Sequence, residues 1–345
     1  MKNLFLYSIT LVAICLFGQA HSSECLVDVY GTEMVSAKWI CETFETEIEN
    51  LIVQIKKDDF ANIYELSDEE RDPREAIINQ LKKNNSFEYV NLAPIIYADH
   101  SIYITVDIVE KESKRLSLFL PQPMMTISSI DDLLNVWNEY ERTGGRLVLT
   151  DKDFKGFKKC PAYHCLFGFE DPKLEKYGVM FAQQVPSVKN ELIQVLRFDK
   201  DPYKRASAAY LLAHIENAHE LSYILTPQIY DSDPHVRNSV LRVLGSLLST
   251  EMIDDFPKEA IIAALNFPNL TDRNKALYVL SNIALNVKNH QYILQEAGVY
   301  LIVNLKMKQP NLHSFAYSIL KLISGKNFNE HDYTAWERWL DEELS

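Results

Sequence analysis

The chain has 345 residues, 47% hydrophobic and 24% charged, with 10 Gly and 13 Pro. This composition excludes a disordered, collagen-like or linker-rich protein, and at roughly 100–200 residues per domain the length allows two domains. Asp and Glu number 48 against 35 Lys and Arg, a net charge of −13, and an acidic surface repels phosphates, which argues against nucleic-acid and anionic-membrane partners.

Met1-Lys2 brings one positive charge, Leu4–Phe17 is mostly apolar, and small residues follow at Gly18 and Ala20. That order is the order of a secretory signal peptide, expected over 1–20 with cleavage after Ala20. The apolar run falls short of the about 20 residues a spanning helix needs, and no other stretch is long and apolar enough. The mature chain is therefore expected to be exported, periplasmic or extracellular, with no membrane insertion after cleavage. Four cysteines remain: Cys25, Cys41, Cys160 and Cys165. An even count in an exported chain argues for disulfides, and of the three possible pairings the local one, Cys25–Cys41 with Cys160–Cys165, closes the shortest loops. The competing metal reading of Cys160-Pro-Ala-Tyr-His164-Cys165 places His and Cys side by side, which suits tetrahedral zinc poorly.

Residues 21–42 show no clear periodicity and read as an N-terminal extension. From Thr43 a helix is expected, with Ile48, Leu51, Ile52 and Ile55 on one stripe. An acidic link containing Glu65, Asp68, Glu69 and Glu70 follows. Asp72-Pro73 then reads as an N-cap with Pro at the first helical position, opening a helix to about Lys83. Over Ser101–Lys111 the period changes to two: Ile102, Ile104, Val106 and Ile108 alternate with Tyr103, Thr105, Asp107 and Val109, a half-buried strand. Phe87–Ala98 and Arg115–Leu120 are β-rich in the same way, with turns at Asp99-His100 and Glu112-Ser113-Lys114. The expectation is a small α+β domain over 43–122 with an antiparallel three-stranded meander. Residues 123–171 read as a linker helix, Ser129–Arg142, stopped by Gly144-Gly145, and a cysteine loop.

From 172 to 345 only helical periodicity remains, and it repeats. Ala208, Leu211, Leu212 and Ile215 recur as Val240, Val243, Leu244 and Leu247, as Ala276, Val279, Leu280 and Ile283, and as Ala316, Ile319, Leu320 and Ile323, at offsets of 32, 36 and 40. The first two copies share Asp-x-Asp-Pro-x-x-Arg: Asp199, Asp201, Pro202, Arg205, then Asp231, Asp233, Pro234, Arg237. Partner helices are expected at Val188–Phe198, His219–Tyr230, Lys258–Leu265 and Val287–Leu305, the last in two pieces around Gly298. One helix pair cannot bury its stripe alone, so a period of this length means stacked pairs, an α-solenoid. The whole is then multi-domain α+β: a small α+β domain followed by an all-α solenoid.

The segment Asp231-x-Asp-Pro-His235-Val236-Arg237 resembles the turn and inner helix of HEAT repeats. The closing stretch Asp332-Tyr333-Thr334-Ala335-Trp336-Glu337-Arg338-Trp339 is similar to the last helix of many bacterial HEAT-repeat proteins. Cys160–Tyr177 is similar to a segment that precedes the repeats in exported members of unassigned function. The resemblance covers 160–345 and implies an armadillo-type fold and a binding role, but no reaction.

Chemistry is sparse. There is no Gly-x-Ser-x-Gly, no phosphate loop and no calcium loop, and no cofactor or metal is implied. Asp107 is the one acid within a strand, expected on its polar face. Arg205 and Arg237 are expected to pair with the Asp of their own or the neighbouring turn. At 100° per residue, three series point away from the repeat core: Ala206, Asn238, Asn274, Ser314; Tyr210, Arg242, Tyr278, Ser318; and Ala213, Gly245, Ser281, Lys321. Tyr210, Asn238, Arg242, Asn274 and Tyr278 are residue types enriched at binding hot spots, so this face is the candidate surface for a protein or peptide partner. The alternative is an enzyme, or an enzyme-associated protein, with a site between the α+β domain and the solenoid near Asp99, His100 and His164.

Overall fold

The computed structural model describes residues 25–57, 68–84, 86–97, 99–151, 154 and 160–345. The expected leader, 1–20, and Glu65 of the acidic link lie outside these residues. Two disulfides join Cys25 to Cys41 and Cys160 to Cys165, the local pairing expected from the sequence. No helix among the described residues is long and apolar enough to cross a membrane.

The N-terminal unit departs from the expected meander. Its three strands are β1 (Val27–Tyr30), β2 (Phe87–Ile96) and β3 (Ile102–Glu110), in the order β1-β3-β2. β2 and β3 form an antiparallel hairpin, but β1 runs parallel to β3, with Val27 opposite Ile104 and Tyr30 opposite Asp107. The sheet is therefore mixed. β1 comes from the stretch that showed no periodicity, because four residues are too few to display one. The expected third strand at Arg115–Leu120 is instead a 3-10 turn, Arg115–Leu118. Lys114 enters it at φ 53°, and the Arg115 guanidinium donates to the carbonyls of Gly31 and Ile108, closing that end of the sheet.

Helices α1 (Ala37–Thr43), α2 (Glu45–Lys57) and α3 (Asp68–Lys82) accompany this sheet. Val27, Ile104, Val106 and Ile108 form one core with Ile40, Ile48, Leu51, Ile55 and Ile77 of these helices. α3 begins at Asp68, so Pro73 lies inside the helix rather than at its start.

The helical body comprises α4 (Asp131–Thr150), α5 (Glu175–Gln184), α6 (Lys189–Phe198), α7 (Pro202–Leu212), α8 (Ala218–Leu225), α9 (Pro234–Thr250), α10 (Glu259–Ala264), α11 (Leu270–Ile283), α12 (His290–Leu305), α13 (Pro310–Ser324) and α14 (Tyr333–Leu344). α7, α9, α11 and α13 pack side by side as one row, with α6, α8, α10 and α12 as their partners in a second row. The arrangement is compatible with a solenoid. Of the repeated quartets, every member is buried except Ile323, which packs half-buried at the end. At about 2–3 kcal/mol per large aliphatic side chain, each quartet is a substantial part of the stability of its layer.

α4 belongs to the same core: Leu133, Leu134, Trp137, Tyr140 and Leu147 are continuous with it. The helix also runs through Gly144-Gly145 instead of stopping there. A Cβ on Gly144 would stand 2.2 Å from the Phe167 ring, so this glycine admits a close neighbour and does not end the helix. Gly298 likewise sits inside α12, under Leu340, and does not divide it.

The row starts at a common set of caps. Asp201 accepts from Tyr203 N–H, Asp233 from His235 N–H, Asn269 from Thr271 N–H and Gln309 from Asn311 N–H. These four stand at the repeat offsets, so the third and fourth copies keep the cap although they lack Asp. Each cap occupies one orphan donor of its helix.

Candidate functional site

Four basic residues follow the caps at the same offsets: Arg205, Arg237, Arg273 and His313. The Arg205 guanidinium grips Asp231 of the next turn through Nε at 2.9 Å and Nη2 at 2.7 Å, and donates to the Asp199 carbonyl at 2.8 Å. Arg237 pairs with Asp272 at 2.7 Å and donates to the Asp231 carbonyl at 2.8 Å. For Arg273 the carboxylate comes from another part of the chain. Its Nη2 donates to Asp107 Oδ1 of β3 at 2.8 Å, with both side chains fully buried.

The sheet therefore docks on the turns that lack an acid of their own. Position 267, where the first two turns have Asp199 and Asp231, is Phe, and position 307 is Met. Asp107 accepts the Leu270 N–H at 3.0 Å in the third turn. Asp28 of β1 accepts the Lys308 and Gln309 N–H groups, each at 2.9 Å, in the fourth. Tyr30 lays its ring 3.6 Å from the Arg273 guanidinium carbon and donates to Asn266. Asp107 is thus not on a solvated polar face. The second face of β3 is covered by the helical body, which makes the strand buried on both sides. Burial raises the Asp107 carboxyl above its ordinary range, and the Arg273 charge opposes that rise.

The face expected to bind a partner is treated differently. On α7 it is covered: Tyr210 is buried, its ring stacked 5.2 Å from Trp137 on one side and 5.4 Å from His164 on the other. Asn274 is also buried and donates to the Asn311 carbonyl. Asn238, Arg242 and Tyr278 are half-buried and adjoin a small basic cluster. Asn238 accepts from Arg242 Nε at 2.8 Å. The Tyr278 ring abuts Gly245, where a Cβ would stand 2.3 Å from it. Asn282 ties α11 to α9 by donating to the Gly245 carbonyl.

Into this surface project Arg242, Lys275 and His164. Among the described residues neither Arg242 nor Lys275 meets a carboxylate. Burial lowers the Lys275 ammonium to about 8, with Arg242 adding to the shift. His164 is held over the face by the Cys160–Cys165 loop, with Nδ1 2.8 Å from Ser246 Oγ. Its Nε2 is buried without a hydrogen-bond partner among the described residues. Burial, then the charges of Arg242 and Lys275, lower this imidazole to about 4, so it is neutral near pH 7. Arg242 and Lys275 can hydrogen-bond and neutralise an incoming carboxylate, with the neutral His164 ring walling the surface beside them.

The residues of the alternative enzymatic reading are not brought together in this way. Asp99 serves its own turn, accepting from Ser101 N–H and Oγ. That turn adjoins the start of α13 through Tyr97, whose hydroxyl meets Gln309 and Asn311 N–H. His164 instead contacts Ser246, twelve residues into α9, roughly 18 Å along the helix from its starting turn.

Sequence reasoning placed Arg242 on this face but missed Lys275 and the part played by His164. A signal for Lys275 existed: the equivalent positions in the other copies are Ser207, Ser239 and Phe315, so the charge is peculiar to the third. No protein-family model, no curated protein and no solved structure matches the chain.

Proposed function

We propose that this is an exported interaction protein, a HEAT-like solenoid with a docked N-terminal sheet, which binds an acidic segment of a protein or peptide partner. The segment lies along the face of α9 and α11 at Arg242, Lys275 and His164. One observation carries this reading. In a chain with an excess of acids, the half-buried cations Arg242 and Lys275 lie close enough for one to lower the other, and neither meets a carboxylate among the described residues. The partner's carboxylates complete the arrangement. Two local disulfides support an exported setting.

A fluorescently labelled hexaglutamate peptide serves as the probe, with hexaserine as the reference. A hydrogen bond to a charged group is worth about 1.5–3 kcal/mol, so the double variant Arg242→Ala/Lys275→Ala is expected to bind hexaglutamate at least about tenfold more weakly. Equal binding by the wild type and the double variant, or no preference for hexaglutamate over hexaserine, contradicts the reading.

A further inference from the structure

The last basic position of the repeat series carries a histidine instead of an arginine, and its surroundings differ accordingly. His313 is only 8% exposed. Its Nδ1 lies 2.6 Å from the Leu305 carbonyl oxygen. A carbonyl only accepts, so Nδ1 carries the proton and Nε2 presents a lone pair. That Nε2 is buried and has no hydrogen-bond partner among the described residues. It is aimed at the loop before α14, where Glu330 Oε2 stands 3.5 Å away. His331 follows, with its Nε2 3.7 Å from the other Glu330 oxygen and its Nδ1 3.3 Å from the Tyr333 hydroxyl. The two imidazole rings are 5.1 Å apart.

We propose that His313, Glu330 and His331 form a site for a divalent transition-metal ion, with Zn²⁺ the best match to the donor set. Two imidazole nitrogens and one carboxylate oxygen are a ligand combination that zinc accepts. The three ligand atoms all lie within 4.8 Å of one another. Bonds of about 2.0–2.2 Å in tetrahedral geometry set donor atoms about 3.4 Å apart. The His313–Glu330 separation already meets that spacing, and His331 reaches it by closing at most about 1.4 Å on an exposed loop position. The hydrogen bond from His313 Nδ1 to a backbone carbonyl is the outer contact that fixes the tautomer of a ligating histidine. Three protein ligands leave a fourth position, and with His331 and Glu330 both largely exposed that position faces solvent, open to water or to a side chain of another molecule. The site joins α13 to the loop leading into α14, so the ion also ties the closing helix to the body. It is independent of the acidic-segment face.

The test uses the whole mature chain, stripped with chelator and titrated with ZnCl₂ by calorimetry, and with CoCl₂ as a spectroscopic reporter of coordination geometry. One ion per chain is expected, together with a rise in melting temperature. Loss of outer contacts alone weakens metal sites about 10–100-fold, so His331→Ala and Glu330→Gln should each lower zinc affinity by more than about tenfold. Both side chains are exposed enough that the chelated variants should melt like the chelated wild type. His219→Ala, which removes the exposed imidazole paired with Asp255, should leave affinity unchanged. No saturable binding in the wild type, or equal affinity in His331→Ala and Glu330→Gln, overturns the proposal.

Discussion

The starting edge of the α7, α9, α11 and α13 row and the face beside it treat basic side chains in opposite ways. At the edge each arginine is matched: Arg205 with Asp231, Arg237 with Asp272, and Arg273 with Asp107. The last of these pairs is long-range, its acid lying on a strand 166 residues away in sequence. On the face, Arg242 and Lys275 have no such partner among the described residues, although Asp and Glu outnumber Lys and Arg by 48 to 35. The contrast teaches that unmatched cations here do not reflect a shortage of acids. Where the fold requires a carboxylate, one is delivered even from the N-terminal sheet. Where none is delivered, the proposed function assigns the position to a carboxylate from outside.

The edge is the more sensitive place to break this comparison. Removing one member of a buried ion pair leaves an uncompensated charge and costs about 3–5 kcal/mol. Asp107→Ala is therefore expected to lower unfolding stability by about that amount in a denaturant melt, or to melt the sheet apart from the helical body. Asp28→Ala, which loses two backbone contacts in the fourth turn, should also lower stability, by about 1.5–3 kcal/mol for each hydrogen bond to the charged group. Equal, negligible losses in both variants would remove the sheet's role as the source of the missing acids.

The face makes a pH-dependent contribution of opposite origin. His164 is held near 4 against an ordinary 6.5 by burial and by Arg242 and Lys275. Below 6.5 the unfolded chain takes a proton that the folded chain refuses. Stability therefore falls as pH drops from about 6.5 towards 4 and levels off below it, by up to about 3 kcal/mol for this group. His214, lowered to about 4 by burial alone, titrates in the same window. Thermal melts between pH 7 and 4 should show a shallower decline in His164→Gln than in the wild type. A parallel decline would mean that the folded chain does not hold this imidazole below its ordinary value.

Much of the helical body was legible in the sequence because its causes are local. The apolar quartets, the Asp-Pro starts and the cysteine spacing each act within a few residues. The third and fourth caps were not read from the sequence, because Asn269 and Gln309 perform the task of Asp with different side chains. What else escaped depends on distant pairing. Val27–Tyr30 is too short to show a period and becomes a strand only by lying parallel to β3. Asp107 looks like an outward residue until the turns of the helical body cover it. Gly144 and Gly298 look like helix ends, whereas each admits a side chain from elsewhere, Phe167 and Leu340. On the face, Arg242 followed from the repeat phase, but Lys275 lies at its flank and His164 arrives from a loop outside the repeats.

The lowered ammonium of Lys275 provides the most direct measurement. Lysine is cationic below its pKa, so with a value of about 8 its charge is largely present at pH 7 and largely lost at pH 9. Arginine keeps its charge throughout this range. Hexaglutamate affinity should therefore fall several-fold in the wild type between pH 7 and 9, and stay nearly constant in Lys275→Arg. The same fall in both proteins would contradict the assignment of this face as the seat of an incoming carboxylate, and no fall in the wild type would contradict the lowered Lys275 ammonium.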